Sequence, residues 1–222
     1  MSENGVDSVE EKPDGEVNAW EILRTLDPAD VCNRAGCDFD TSDGSYALES
    51  FGQTLKVYLH DSTISADSDI GKYITDDLGH LSRLSILLYL IGAKDMSPSG
   101  HLVKPSDLEG GAIYMKGSHM LPLGDLAEKF GCDSASFPAF LDFLETAKRL
   151  GGQESGYGDV SVQLFPFPRI PVVIAVWAGD DEFPARSVLL FDSTCEFHLP
   201  PDALWAVAMV SVRVILHADW TV

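Results

Sequence analysis

Between Ile170 and Trp205 the chain carries two dense apolar runs joined by an acidic connection, and this stretch restricts the fold more than any other. Val172 to Trp177 is mostly β-branched, opened by Pro171 and followed by Gly179, and Val188 to Phe191 is a second apolar run. Runs this short, bounded by turn residues, fit strands covered on both faces, since a helix needs a longer run. In the connection from Ala178 to Arg186, Gly179 admits a positive φ and Pro184 ends strand pairing. The expected arrangement is an antiparallel hairpin with a loop longer than a tight turn. Its tip carries Asp180, Asp181 and Glu182, and three successive carboxylates stay solvated only on an exposed tip.

The chain has 222 residues, the size of one domain, and 45% of them are hydrophobic. A domain of this length buries roughly 70% of its extended-chain surface and needs no covalent staples. Lys and Arg total 15 against 35 Asp and Glu, a formal charge of −20. That field repels nucleic-acid phosphates and anionic membrane surfaces. A basic protein partner or a cation fits it, and so does simple solubility. Cys32, Cys37, Cys132 and Cys195 are too few and too scattered for a disulfide scaffold. The acidic start, Met1 to about Gly15, reads as a disordered tail ahead of a domain from residue 16 to 222. It lacks the basic and apolar regions of a secretory signal, and a cytoplasmic protein with reduced thiols is expected.

The remaining chain alternates helix and strand signals. Helices are expected from about Val17 to Leu26 and, with Asp27 as cap and Pro28 at its first position, to Gly36. Ser45 to Ser50 and Thr54 to Leu59 flank a Phe51-Gly52-Gln53 turn, and Ile64 marks a further short strand. A helix from about Asp76 to Ile91 has one stripe of Leu81, Leu84, Leu88 and Ile91, but Ile86, Leu87, Tyr89 and Leu90 make it apolar nearly all round. Such a helix is expected at the centre of the fold. Ala93 to Gly111 is a long polar loop, and Ala112 to Met115 a candidate short strand. Helices follow at Pro122 to Phe130 and from Asp133 or Ser134 to Leu150, then an alternating strand at Val160 to Phe165. Asp202 to Leu216 carries both a helix start and alternating valines, and a helix is the favoured reading. The fold class is α+β, a single domain with an antiparallel-rich central sheet and helices packed on it.

No phosphate-binding loop, nucleophile elbow or paired zinc motif occurs. Candidate chemistry is confined to scattered residues. Asp180, Asp181, Glu182, Asp192 and His198 are candidate catalytic groups if the fold gathers them, around a divalent cation or as an acid/base pair. His101 and His119, which bracket the long loop, and the pair Cys32 and Cys37 are candidate metal ligands, although a closed site needs about four. Each has an ordinary alternative: solvated loop acids, a turn histidine, a small apolar cysteine.

The spaced motifs also carry a resemblance. They are Trp20, Leu26-Asp27-Pro28, Arg34-Ala35-Gly36, Phe51-Gly52, Ile86 to Leu90, Gly110-Gly111-Ala112 with Tyr114, Leu126-Ala127 with Phe130-Gly131, and Leu150-Gly151-Gly152. The series closes with Pro171 to Trp177, Gly179-Asp180-Asp181-Glu182-Phe183-Pro184-Ala185, Leu190-Phe191-Asp192 and Leu199-Pro200. From about Val17 to Leu216 the chain resembles an uncharacterised prokaryotic domain-of-unknown-function family, some members of which look like fusions to a cysteine-rich iron–sulfur segment. The resemblance implies an iron–sulfur or corrinoid setting and supplies no list of catalytic residues. It suggests a non-catalytic accessory or binding module, with a redox or corrinoid-dependent protein as partner and no cofactor of its own. The alternative is a small metal-dependent hydrolase using the acidic hairpin and His198, the one reading that calls for a divalent metal. A sensor with its pocket under the Ala93 to Gly111 loop is a third reading.

Overall fold

The computed structural model describes residues 14–112, 117–131 and 137–217. The expected tail of residues 1–13, residues 113–115 of the expected Ala112 to Met115 strand, the helix start at 133–134 and Cys132 lie outside the described residues, and Ala112 itself is in a 3-10 turn. The fold is α+β, with antiparallel sheets of four and five strands in one compact unit.

Asp14–Thr25 forms α1, so Asp14 and Gly15 are helical rather than part of a tail. Pro28–Ala35 forms α2, capped by the Asp27 carboxylate accepting from the Ala29 N–H and ended by Gly36 in the left-handed region. A meander follows: β1 (Asp38–Asp40), β2 (Ser45–Ser50), β3 (Gln53–Tyr58) and β4 (Thr63–Ser65), each paired antiparallel with the next. The turn between β2 and β3 has positive φ at Phe51 (50°) and Gly52 (69°), as a two-residue hairpin matched to strand twist requires. Gln53, expected in the turn, begins β3.

The central helix starts differently from the expectation. Ser68 caps a short α3 (Asp69–Lys72) through an acceptor bond from the Gly71 N–H, and residues Tyr73–Asp77 form a π-helical turn. The regular α4 then runs Gly79–Gly92. Asp76 and Asp77 therefore sit in the π turn, because the Ser68 cap starts the helical chain earlier.

The second sheet has the order β5-β9-β8-β7-β6: β5 (Leu102–Val103), β6 (Gln153–Glu154), β7 (Val160–Phe167), β8 (Ile170–Trp177) and β9 (Arg186–Asp192). The expected hairpin is β8 and β9, in register from Val172↔Phe191 to Trp177↔Arg186. Coverage on both faces holds for β8, whose residues from Ile170 to Val176 are all buried. In β9 Leu189 and Phe191 are buried while Val188 and Leu190 are half-buried, so that strand is covered on one face. Pro171 lies inside β8, opposite a register shift between Leu164 and Phe167, where its missing N–H breaks no ladder bond. The Phe51 N–H donates to the Phe165 carbonyl at 2.8 Å and ties the two sheets together.

The helices α5 (Leu123–Gly131) and α6 (Phe137–Arg149) pack on the second sheet. The closing segment is a single helix, α7 (Pro201–Leu216), with Val207, Val210, Val212 and Val214 buried. It crosses α4, which also contacts α1 and α2.

Candidate functional site

The two faces of α4 have different partners. Ser82, Ser85, Ile86, Leu87, Tyr89 and Leu90 are buried, and the Tyr89 hydroxyl donates to the Ala35 carbonyl at 2.8 Å while accepting from the Arg169 N–H at 3.1 Å. The other stripe, Leu81, Leu84, Leu88 and Ile91, is the less buried one, and Leu84 is 36% exposed. That stripe walls a groove whose opposite side is the first part of α7.

Two adjoining hollows make up the groove, with Leu88, Pro200 and Pro201 common to both. The larger, about 520 Å³, lies between Leu81, Leu84 and His80 on one side and Trp205 and His119 on the other. The Trp205 indole N–H donates to the His119 carbonyl at 2.7 Å, and the His119 ring meets the indole edge-on at 5.1 Å. The smaller, about 300 Å³, lies between Ile91, Lys94, Glu109, Glu196, Phe197 and His198. Phe197 is 59% exposed at its mouth.

A buried carboxylate builds this second end. Asp192, at the last position of β9, is 1% exposed. It accepts five hydrogen bonds, from Ser99 N–H and Oγ (both 3.0 Å), Gly100 N–H (2.6 Å), and Thr194 N–H (3.0 Å) and Oγ1 (2.7 Å). Burial pushes the carboxyl pKa up, but the bonds from Thr194, Ser99 and Gly100 outweigh it and bring it to about 2. The same side chain thus caps the 3-10 turn Ser193–Phe197 and anchors the long loop from Ala93 to Gly111. The loop is further held by β5 pairing with β9, by the Ser193 N–H on the His101 carbonyl at 2.8 Å, and by the Glu109 N–H on Glu196 Oε1 at 2.5 Å.

His198 closes the turn and is 2% exposed. Its Nδ1 accepts from the Lys94 N–H at 3.2 Å, so the neutral ring carries its hydrogen on Nε2, a buried atom without a partner among the described residues. Burial holds the imidazole pKa below its ordinary value, and Arg169 and Lys94 push the same way against Asp192. Gly92 lets α4 end against this turn: a Cβ there would stand 3.0 Å from the His198 carbonyl oxygen.

The candidate residues read from the sequence do not meet at one point. Asp180, Asp181 and Glu182 are exposed at the hairpin tip, where the Asp180 carboxylate accepts from the Glu182 and Phe183 N–H groups and is shifted below its ordinary pKa by those bonds. The length of β9, about 20 Å at roughly 3.3 Å per residue, separates that tip from Asp192 and His198. His101 is exposed on the long loop, and His119 lies against Trp205. Cys32 and Cys37 do come together, with their sulfurs 3.8 Å apart at the end of α2. Burial pushes both thiols up, Cys37 strongly. Among the described residues no three His, Cys, Asp or Glu side chains are grouped to hold a metal ion. Among the described residues, too, no helix is long and apolar enough to cross a membrane.

Residues 27–214 match a family model described as a domain of unknown function, DUF3786. The chain belongs to the DUF3786 family. Neither the curated proteins nor the solved structures contain a match to it. The family assignment bears out the likeness to a domain-of-unknown-function family over nearly the whole of its expected span; it names no activity and does not bear on the iron–sulfur fusion. The residues that sequence reasoning passed over, Lys94, Glu109, Glu196 and Phe197, belong to the loop and the 3-10 turn that edge the groove. Their one advance signal was the surplus apolar stripe on α4, more than a single core can cover.

Proposed function

We propose that this DUF3786 domain is a non-catalytic accessory module that works by binding, and that the groove between α4 and α7 is where it binds. The observation that carries this reading is the half-exposed stripe of Leu81, Leu84, Leu88 and Ile91, continued by Phe197, on a helix whose opposite face already fills the core. Contiguous apolar surface rimmed by polar groups is the mark of an interaction site. Lys94, Glu109 and Glu196 supply that rim. We further propose an iron–sulfur or corrinoid-dependent protein as the partner, on the strength of the likeness to domains joined to cysteine-rich segments.

Affinity capture from the native host tests both parts. The tagged wild-type chain is expected to retain a redox or methyl-transfer protein, and a Leu84→Asp, Leu88→Asp chain to lose it. Recovery of the same proteins by both chains would remove the groove from the reading. Recovery of no redox or methyl-transfer protein by the wild type would remove the partner class.

A further inference from the structure

We infer that the occupant of the α4–α7 groove is an amphipathic helix of a partner protein, with lysines or arginines flanking its apolar stripe. The inference rests on the groove being a binding site and adds what fits it. From Leu81 to Ile91 the wall is about 15 Å long at 1.5 Å per residue, the length of roughly three helical turns. Its apolar side chains recur at three- and four-residue spacing, so a third helix laid along α4 and α7 meets them with its own stripe.

Charge selects among such helices. Among the described residues that line the groove, the exposed acids are Glu109, Glu196 and Asp202, against the one exposed ammonium of Lys94. The bond from the Glu109 N–H to Glu196 Oε1 holds the Glu196 carboxylate against the Glu109 backbone. The whole chain adds a formal charge of −20, which draws a basic helix in and turns an acidic one away. A second copy of this chain brings the same negative field and is disfavoured as occupant for that reason.

The test uses a fluorescent synthetic helix with leucines at three- and four-residue spacing and lysine flanks, and a control helix with the same leucines and glutamate flanks. The lysine helix is expected to bind the full chain saturably, at least tenfold more weakly after Leu84→Asp or the milder Leu84→Ser. Glu109→Gln with Glu196→Gln, which keeps the Oε1 acceptor, is expected to weaken it about threefold and to flatten its salt dependence. Asp181→Asn with Glu182→Gln, at the distant hairpin tip, is expected to leave it unchanged. Equal loss from the tip and groove changes means charge attraction without a site and overturns the inference. So does equal binding of the glutamate helix, or a dimer in sedimentation that Leu84→Asp dissociates. No binding of the lysine helix, where native capture still depends on Leu84, overturns the helix class and leaves the binding reading standing. Loss of both removes the two together.

Discussion

Gly52 and Gly151 touch backbone to backbone: a Cβ on Gly151 would lie 2.7 Å from the Gly52 Cα, and one on Gly52 2.8 Å from the Gly151 Cα. The contact presses the β2–β3 turn onto the end of α6. That end is a Schellman cap, with the Gly152 N–H on the Ala147 carbonyl at 2.8 Å and the Gly151 N–H on the Lys148 carbonyl at 3.1 Å. Gly151 has φ 65°, where any other residue is strained. Gly151→Ala is therefore expected to cost about 2–4 kcal/mol, from the left-handed backbone and from a clash in which no flexible side chain can give way. Urea unfolding measures it, and a loss below about 0.5 kcal/mol would show that the two backbones part freely.

Asp192 makes the long loop a part of the fold. Its pKa of about 2 in the folded chain lies below the ordinary 3.8, so the folded state favours the carboxylate. The stability this contributes is present above pH 4 and is lost as pH falls toward 2, and at 1.36 kcal/mol per pH unit it amounts to about 2.5 kcal/mol. Asp192→Asn is expected to cost a similar amount at pH 7 and to speed amide exchange at Ser99 and Gly100. An unchanged exchange rate there would contradict the anchoring role.

His198 titrates in the opposite sense. Its folded pKa is depressed, so the unfolded chain takes up the proton first and stability falls as pH drops below about 6.5. The wild-type chain is expected to lose more stability between pH 7 and 5 than His198→Gln does. Parallel losses in the two chains would mean that the ring is not held neutral.

Cys37 and Cys195 are expected to be slow nucleophiles. Burial raises both thiols, Cys195 to about 12, and the thiolate is the species that alkylates. At pH 7.5 iodoacetamide is expected to label them at least tenfold more slowly in the folded chain than in urea, read by peptide mass. Equal rates would place the sulfurs in open solvent.

Much of this architecture is legible in local signals. The β8–β9 hairpin follows from two short apolar runs around Gly179 and Pro184, and α2 from Asp27-Pro28 at one end and Gly36 at the other. The helix at Pro201–Leu216 follows from its start signal despite the alternating valines. The groove is not legible in that way. Leu84 and Leu87 are the same residue type three positions apart, yet one is exposed and the other buried, because α1, α2 and α7, all distant in sequence from α4, pack on it without covering it all round. Periodicity locates a stripe but does not say what covers it. Likewise, nothing near Asp192 in sequence announces Ser99 and Gly100 as its partners, since that meeting depends on β5 pairing with β9.

The bare aromatic Phe197, with Phe183 (67% exposed) and Met120 (61% exposed), has a consequence for how the molecule behaves in a crowd of its own kind. Sticky spots on a neutral globule invite clumping, whereas here every approach of one molecule to another sets like charge against like. That protection reaches only as far as the ionic atmosphere allows, about 8 Å at physiological salt and about 3 Å at 1 M. Concentrated brine therefore converts a self-avoiding colloid into a self-adhering one.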